Sequence, residues 1–286
     1  MRIKCGYEIS YQCAQATPMM LLLSVHPSRR DDLETPDTLQ TQPNLTKKRF
    51  VDPFGNHCTR ILAPAGLTTV SADFVIRDSG KHDAYAPDAP QLAVEDLPND
   101  ALFYLMGSRY CEVDQLANLA WSLFGGVQPG WARVQAIVDY AHERISFGYH
   151  HADKTRTAAR AHEERVGVCR DYAHLAVTLC RAMNIPARYC TGYLGDIGVP
   201  VMDAPMDFSA WFEVFLGDRW YTFDARHNEP RIGRVLIARG RDATDVAIST
   251  EFGPAILAGF KVVTDELPER SPRRDAGFGV EHQLAG

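Results

Sequence analysis

The stretch Asp207-Phe-Ser-Ala-Trp-Phe-Glu-Val-Phe-Leu216, Gly217-Asp218, Arg219-Trp-Tyr-Thr-Phe-Asp224 restricts the fold of this chain more than any other segment. Both arms are rich in aromatic and β-branched residues, and a Gly-first two-residue loop suits a type II′ turn, so the segment reads as a β-hairpin. The loop sets the register: Leu216 pairs with Arg219, and Trp211 falls opposite Asp224. A slip of one residue would turn every side chain to the other face. Ser209 then lies diagonal to Asp224 on one face. Such diagonal neighbours are roughly 7–8 Å apart at Cα, within reach of an imidazole but long for a serine. The hairpin therefore offers a carboxylate and, diagonal to it, the slot where a base would belong.

Upstream, Arg165-Val-Gly-Val-Cys169-Arg-Asp-Tyr-Ala-His174-Leu places a cysteine after a Gly-containing turn, where a helical apolar pattern begins. Leu175, Leu179, Ala182 and Met183 recur at helical spacing, and Asn184-Ile185-Pro186 supplies the stop. A thiol in the first turn of a helix meets unpaired backbone N–H groups and the positive end of the dipole. Both favour the thiolate, which is the nucleophilic form, and Arg170 adds a nearby positive charge. From position alone two readings stand, a nucleophile or a small buried core cysteine.

These residues resemble the transglutaminase-like superfamily, the papain-related cysteine hydrolases and acyltransferases. The matching pieces are Gly167-Val-Cys169-Arg-Asp-Tyr-Ala-His-Leu, Arg181-Ala-Met-Asn-Ile-Pro-Ala-Arg-Tyr-Cys-Thr-Gly-Tyr193, Ser209-Ala-Trp-Phe-Glu-Val and Gly217-Asp-Arg-Trp-Tyr-Thr-Phe-Asp224. The resemblance implies an α+β fold, with helices packed on an antiparallel sheet, and acyl transfer through a thioester. Cys169 would attack a carboxamide carbon and Asp224 would orient a base. The family's catalytic histidine stands directly before Ala-Trp; here that residue is Ser209. A serine hydroxyl has no useful basicity near neutral pH. Three accounts fit: a degenerate member that binds peptide or protein without turnover, a variant whose base comes from elsewhere, or an introduced substitution at 209. The expected function is thus a cysteine amidase or peptidase acting on a peptide or protein amide, with a binding module as the alternative.

His227 follows the aspartate closely, but in the hairpin register it points away from the Asp224 face if the strand continues that far. His174 lies about 140° round the helix from Cys169. His150 and His151 have no third ligand at metal spacing, so no metal and no cofactor is expected. Trp211 and Trp220, on one hairpin face, either wall an acyl pocket or belong to the core.

A net charge of −6 argues against nucleic acid or an anionic membrane as the main partner. No apolar run reaches spanning length and no signal peptide is apparent. Seven cysteines without a CxxC pair suit a reducing, cytoplasmic setting. Along the chain, residues 1–95 read as a β-rich, sandwich-like module of the kind that precedes this core in bacterial members. Strands are expected at 3–11, 20–26 and 68–77, with a reversal at Gly55-Asn56. A segment rich in proline and aspartate at 80–100 reads as a linker or a wrapping segment. The catalytic-type core is expected over 96–265, with helices from Val113, Trp131 and Cys169, strands at 187–194, and a last strand at 256–264. Residues 266–286 form a polar tail.

Overall fold

A computed structural model of the protein describes residues 1–201 and 205–268. The amino-terminal part supplies strands β1 (Arg2–Cys13), β2 (Thr17–Leu21), β3 (Gln40–Gln42), β4 (Lys48–Val51), β5 (His57–Ala63) and β6 (Gly66–Arg77). Helices follow: α1 (Asn99–Leu102), α2 (Val113–Phe124), α3 (Trp131–Arg144), α4 (Ala158–Glu164) and α5 (Cys169–Ala182), with the short parallel strands β7 (Ser146–Phe147) and β8 (Val166–Gly167) between them. The chain ends in β9 (Ala187–Tyr193), β10 (Ser209–Leu216), β11 (Arg219–Phe223), β12 (Val235–Gly240), β13 (Ser249–Glu251) and β14 (Ala255–Leu267).

Three antiparallel sheets result, in the orders β14-β1-β6-β3, β13-β2-β5-β4 and β11-β10-β9-β12. The fold is α+β, with a β-rich amino-terminal part. β1 shows why alternation suffices to form a sheet: Ile3, Cys5, Tyr7, Ile9, Tyr11 and Cys13 are all buried, spaced two apart. The last two strands return to the amino-terminal sheets, β13 pairing with β2 and β14 with β1 over almost its full length. Of the polar tail expected over 266–286, Glu266 and Leu267 instead extend β14, paired with Ile3 and Arg2, and the residues beyond 268 lie outside the described ones.

The hairpin has the expected register, with Leu216 opposite Arg219 and Phe212 opposite Phe223. Gly217 has φ +59°, the left-handed value that the first loop residue of a II′ turn requires. Alternation turns Phe212, Val214 and Leu216 toward α5, whose Leu175, Ala176 and Leu179 complete that core. Ser209, Trp211 and Glu213 take the opposite parity. Trp211 packs with Cys190 and Leu236. Trp220 packs edge-on against Tyr104 and Phe215. Both tryptophans therefore serve packing rather than lining the thiol's surroundings.

Gly192 of β9 allows a close approach. A Cβ there would lie 2.1 Å from the Val235 carbonyl oxygen and 2.8 Å from the Trp211 ring. Gly192→Ala should cost about 1–3 kcal/mol, the usual range for overpacking, in urea denaturation. A variant as stable as the parent would contradict this packing of β12 on β9.

Candidate thiol site

The site begins with the seating of α5. Asp171, in the first turn, accepts the Val168 backbone N–H at 2.8 Å and so satisfies a donor left over at the helix start. Gly167 makes this possible, because a Cβ there would sit 2.7 Å from the Asp171 carboxylate. Arg156 and Arg170 each approach the Asp171 carboxylate to 3.3 Å. Arg156 is further tied to Glu164 at 2.8 Å. Arg170, expected to support a thiolate, instead spends its guanidinium on Asp171 and the Asp153 carbonyl.

Cys169 is half-buried against the core that contains Ala173, Tyr189, Phe208 and Ala210. The Ala210 N–H points at its sulfur. Burial pushes the thiol up to about 11; Asp207 and Asp224 add to the effect, while Arg226 and the Ala210 N–H oppose it. Desolvation is the largest of these influences and favours the thiol over the thiolate near neutral pH. This reverses the expectation drawn from the helix start alone.

Asp224 is buried and its carboxylate is fully engaged. Oδ1 accepts the backbone N–H groups of Arg226 at 3.0 Å and His227 at 3.1 Å. Oδ2 lies 2.9 Å from His227 Nδ1 and accepts Arg234 Nη2 at 3.0 Å. Burial by itself would raise this carboxyl, but the Arg234 charge and the His227 bonds outweigh it and hold Asp224 well below the usual carboxylate range. Position 227 thus contradicts the register argument. β11 ends at Phe223, and the chain turns over Asp224–Asn228, with the Asn228 N–H donating to the Asp224 carbonyl at 2.8 Å. A turn, unlike a strand, brings residues three apart together.

Ser209 is buried at the start of β10 and lines a cavity of about 30 Å³ shared with Tyr149, Asp207, Arg226 and His227. The volume is enough for water. Arg226 borders both the cavity and the thiol and stacks 3.9 Å above the Phe147 ring. Cys169, Ser209 and Asp224 are therefore grouped where β10 begins and β11 ends, with His227 and Arg226 added by the turn. His174 is elsewhere: fully buried, stacked on Tyr110, and accepting the Ala243 N–H at 3.1 Å. Burial lowers its pKa to about 3. His150 and His151 lie against each other, and among the described residues no His/Cys/Asp/Glu group could hold a metal ion. Nor is any described helix long and apolar enough to cross a membrane.

Sequence reasoning missed Arg226, Arg234 and Asp207, and misplaced His227. The signal was present in Asp224-Ala-Arg-His-Asn-Glu-Pro230, whose Asp, Asn and Pro mark a turn rather than a strand.

Comparison with known proteins gives three findings. A family model described as Transglutaminase-like superfamily matches residues 117–225. An uncharacterised protein of Mycobacterium leprae is 36% identical over 220 residues, covering 73% of this chain and 77% of that one. The crystal structure of a proposed cysteine protease from Cytophaga hutchinsonii superposes with a TM-score of 0.81 at 30% identity, over 95% of this chain and 92% of that one.

Two measurements test the electrostatics. The alkylation rate of Cys169 by iodoacetamide, followed by peptide mass mapping, should rise about tenfold per pH unit from neutrality toward about 11. A plateau below pH 8 would show a thiolate that burial does not suppress. Because the Asp224 pKa is depressed, its stabilisation is complete above its ordinary value of 3.8 and is lost as pH falls below it. Asp224→Asn should destabilise by about 3 kcal/mol, the lower end for breaking a buried pair, because Arg234 keeps Asp83 at 3.0 Å. An unchanged melting temperature would refute the pairing.

Proposed function

Since the chain belongs to the transglutaminase-like superfamily, we propose that it is a cysteine amidase or peptidase in which His227 serves as the base. Cys169 is the nucleophile, and Asp224 orients the imidazole. The observation that carries this reading is the 2.9 Å bond between His227 Nδ1 and Asp224 Oδ2, beside the cavity that Ser209 lines. That bond is the carboxylate–imidazole half of a triad, rebuilt from a residue three positions on.

In this mechanism Cys169 rests as the thiol and His227 is the group that accepts its proton. Asp224 accepts a hydrogen bond from Nδ1–H, which leaves Nε2 as the basic nitrogen. Nε2 takes the Cys169 proton, directly or through one water in the cavity, as sulfur attacks the amide carbonyl. The Cys169 N–H, at the helix start, donates to the developing oxyanion. The imidazolium returns its proton to the leaving amine, and a thioester remains. Water, deprotonated by the same nitrogen, releases the acid and frees the thiol. The substrate class is a peptide or protein amide.

A second reading has its own support. With the thiol pushed up to about 11 and a serine at the family's base position, the cleft would bind peptide or protein without turnover.

A fluorogenic peptide amide separates the two. Under the enzyme reading, Cys169→Ala abolishes turnover and His227→Ala lowers kcat/KM by about 10²–10⁴-fold, the worth of a positioned acid–base group. Full activity in His227→Ala would remove His227 as the base. Under the binding reading the parent is silent, and Ser209→His raises both thiol reactivity and hydrolysis.

A further inference from the structure

The amino-terminal sandwich is open along one side. Ile61 and Ala63 are buried and mark the inner face of β5. Their parity and the β4–β5 register put Arg49 and Val51 on that same face, opposite Thr59 and His57. Inner-face residues of a sandwich are normally covered. Here Val51 is 59% exposed, and all four residues of β4 are exposed. The space in front of them is a cleft of about 650 Å³, walled on the other side by Arg30, Leu33 and Asp37. That volume lies within the ~300–1,000 Å³ range of ligand sites.

Three further observations give the cleft a chemistry. β4 is the outermost strand of its sheet, so its far edge offers backbone N–H and C=O groups. Both faces of the edge are basic: Arg49 points inward, and Lys48 stands directly opposite Arg60, a like-charge pair that disfavours the hairpin unless an anion sits nearby. The two carboxylates of the cleft are already engaged, Glu34 with Arg2 at 2.9 Å and Asp37 with the Val25 N–H at 2.7 Å.

We propose that this cleft binds an extended peptide segment of alternating acidic and apolar residues, which adds as a further strand beside β4. Main-chain hydrogen bonds to the edge would hold it, while the carboxylates, all on one face of the added strand, enter toward Arg49 and Arg30 and the apolar side chains lie on the other face beside the exposed Phe50. A second copy of this chain is disfavoured, because β4 laid beside β4 would oppose one Lys-Arg row to another.

The test is fluorescence anisotropy on the full chain with a short labelled Glu-Val repeat and its Lys-Val counterpart. The acidic peptide should bind at least tenfold more tightly. Arg49→Glu should weaken it by about tenfold or more, equivalent to about 1.4 kcal/mol, with Arg49→Gln intermediate and both variants melting like the parent. N-methylation of one alternate set of peptide amides should abolish binding, and of the other set should not. Equal binding of the two peptides, no binding of either, or indifference to Arg49→Glu would overturn the proposal. Full displacement of the peptide by an equal concentration of valerate would assign the cleft to a small acid and overturn it as well.

Discussion

The carboxylate of Asp224 is the point on which the site depends. A buried charge is costly unless paired and fully hydrogen-bonded, and Asp224 meets both conditions with groups from two directions. Arg234, at the entrance to β12, neutralises it, and the backbone of the following turn fills its other oxygen. Arg234 is itself held by Asp83 and lies 5.1 Å from the Trp211 ring centroid. One ionic arrangement thus stops β11 at Phe223, ties the hairpin to β12 and presents His227 beside the cavity. The thiol needs the same turn, because Arg226, which follows Asp224 by two residues, opposes the burial that raises Cys169.

Aromatic residues also pack the two halves of the chain together. Tyr193 and Phe208, which flank the site on β9 and just before β10, lie 5.1 Å apart, and Phe208 lies 6.3 Å from Tyr7 of β1. The sandwich therefore backs the strand that carries Ser209. The return of β13 and β14 to the amino-terminal sheets closes this arrangement.

Much of the geometry was legible in the residues. Gly217-Asp218 set the hairpin register, and the apolar spacing after Cys169 gave α5 its start and end. What escaped was decided by contacts distant in sequence. β12 and β13 have no strong alternation of their own, and they form because β9 and β2 have open edges. α4 is a seven-residue helix too short to show periodicity. The His227 error came from extending a strand rule into a turn whose Asp224 caps its own backbone. The thiol was misjudged because a sequence displays a helix start but not the burial around it, and here burial is the larger effect.

The central claim is that Cys169 and His227 together perform acyl transfer despite Ser209. Intact-protein mass spectrometry after mixing with an activated acyl ester tests it most directly. The account predicts an acyl adduct on Cys169 that forms and then decays in the parent, and that forms slowly and persists in His227→Ala. Identical formation and decay in the two proteins, or an adduct on any other residue, would contradict it.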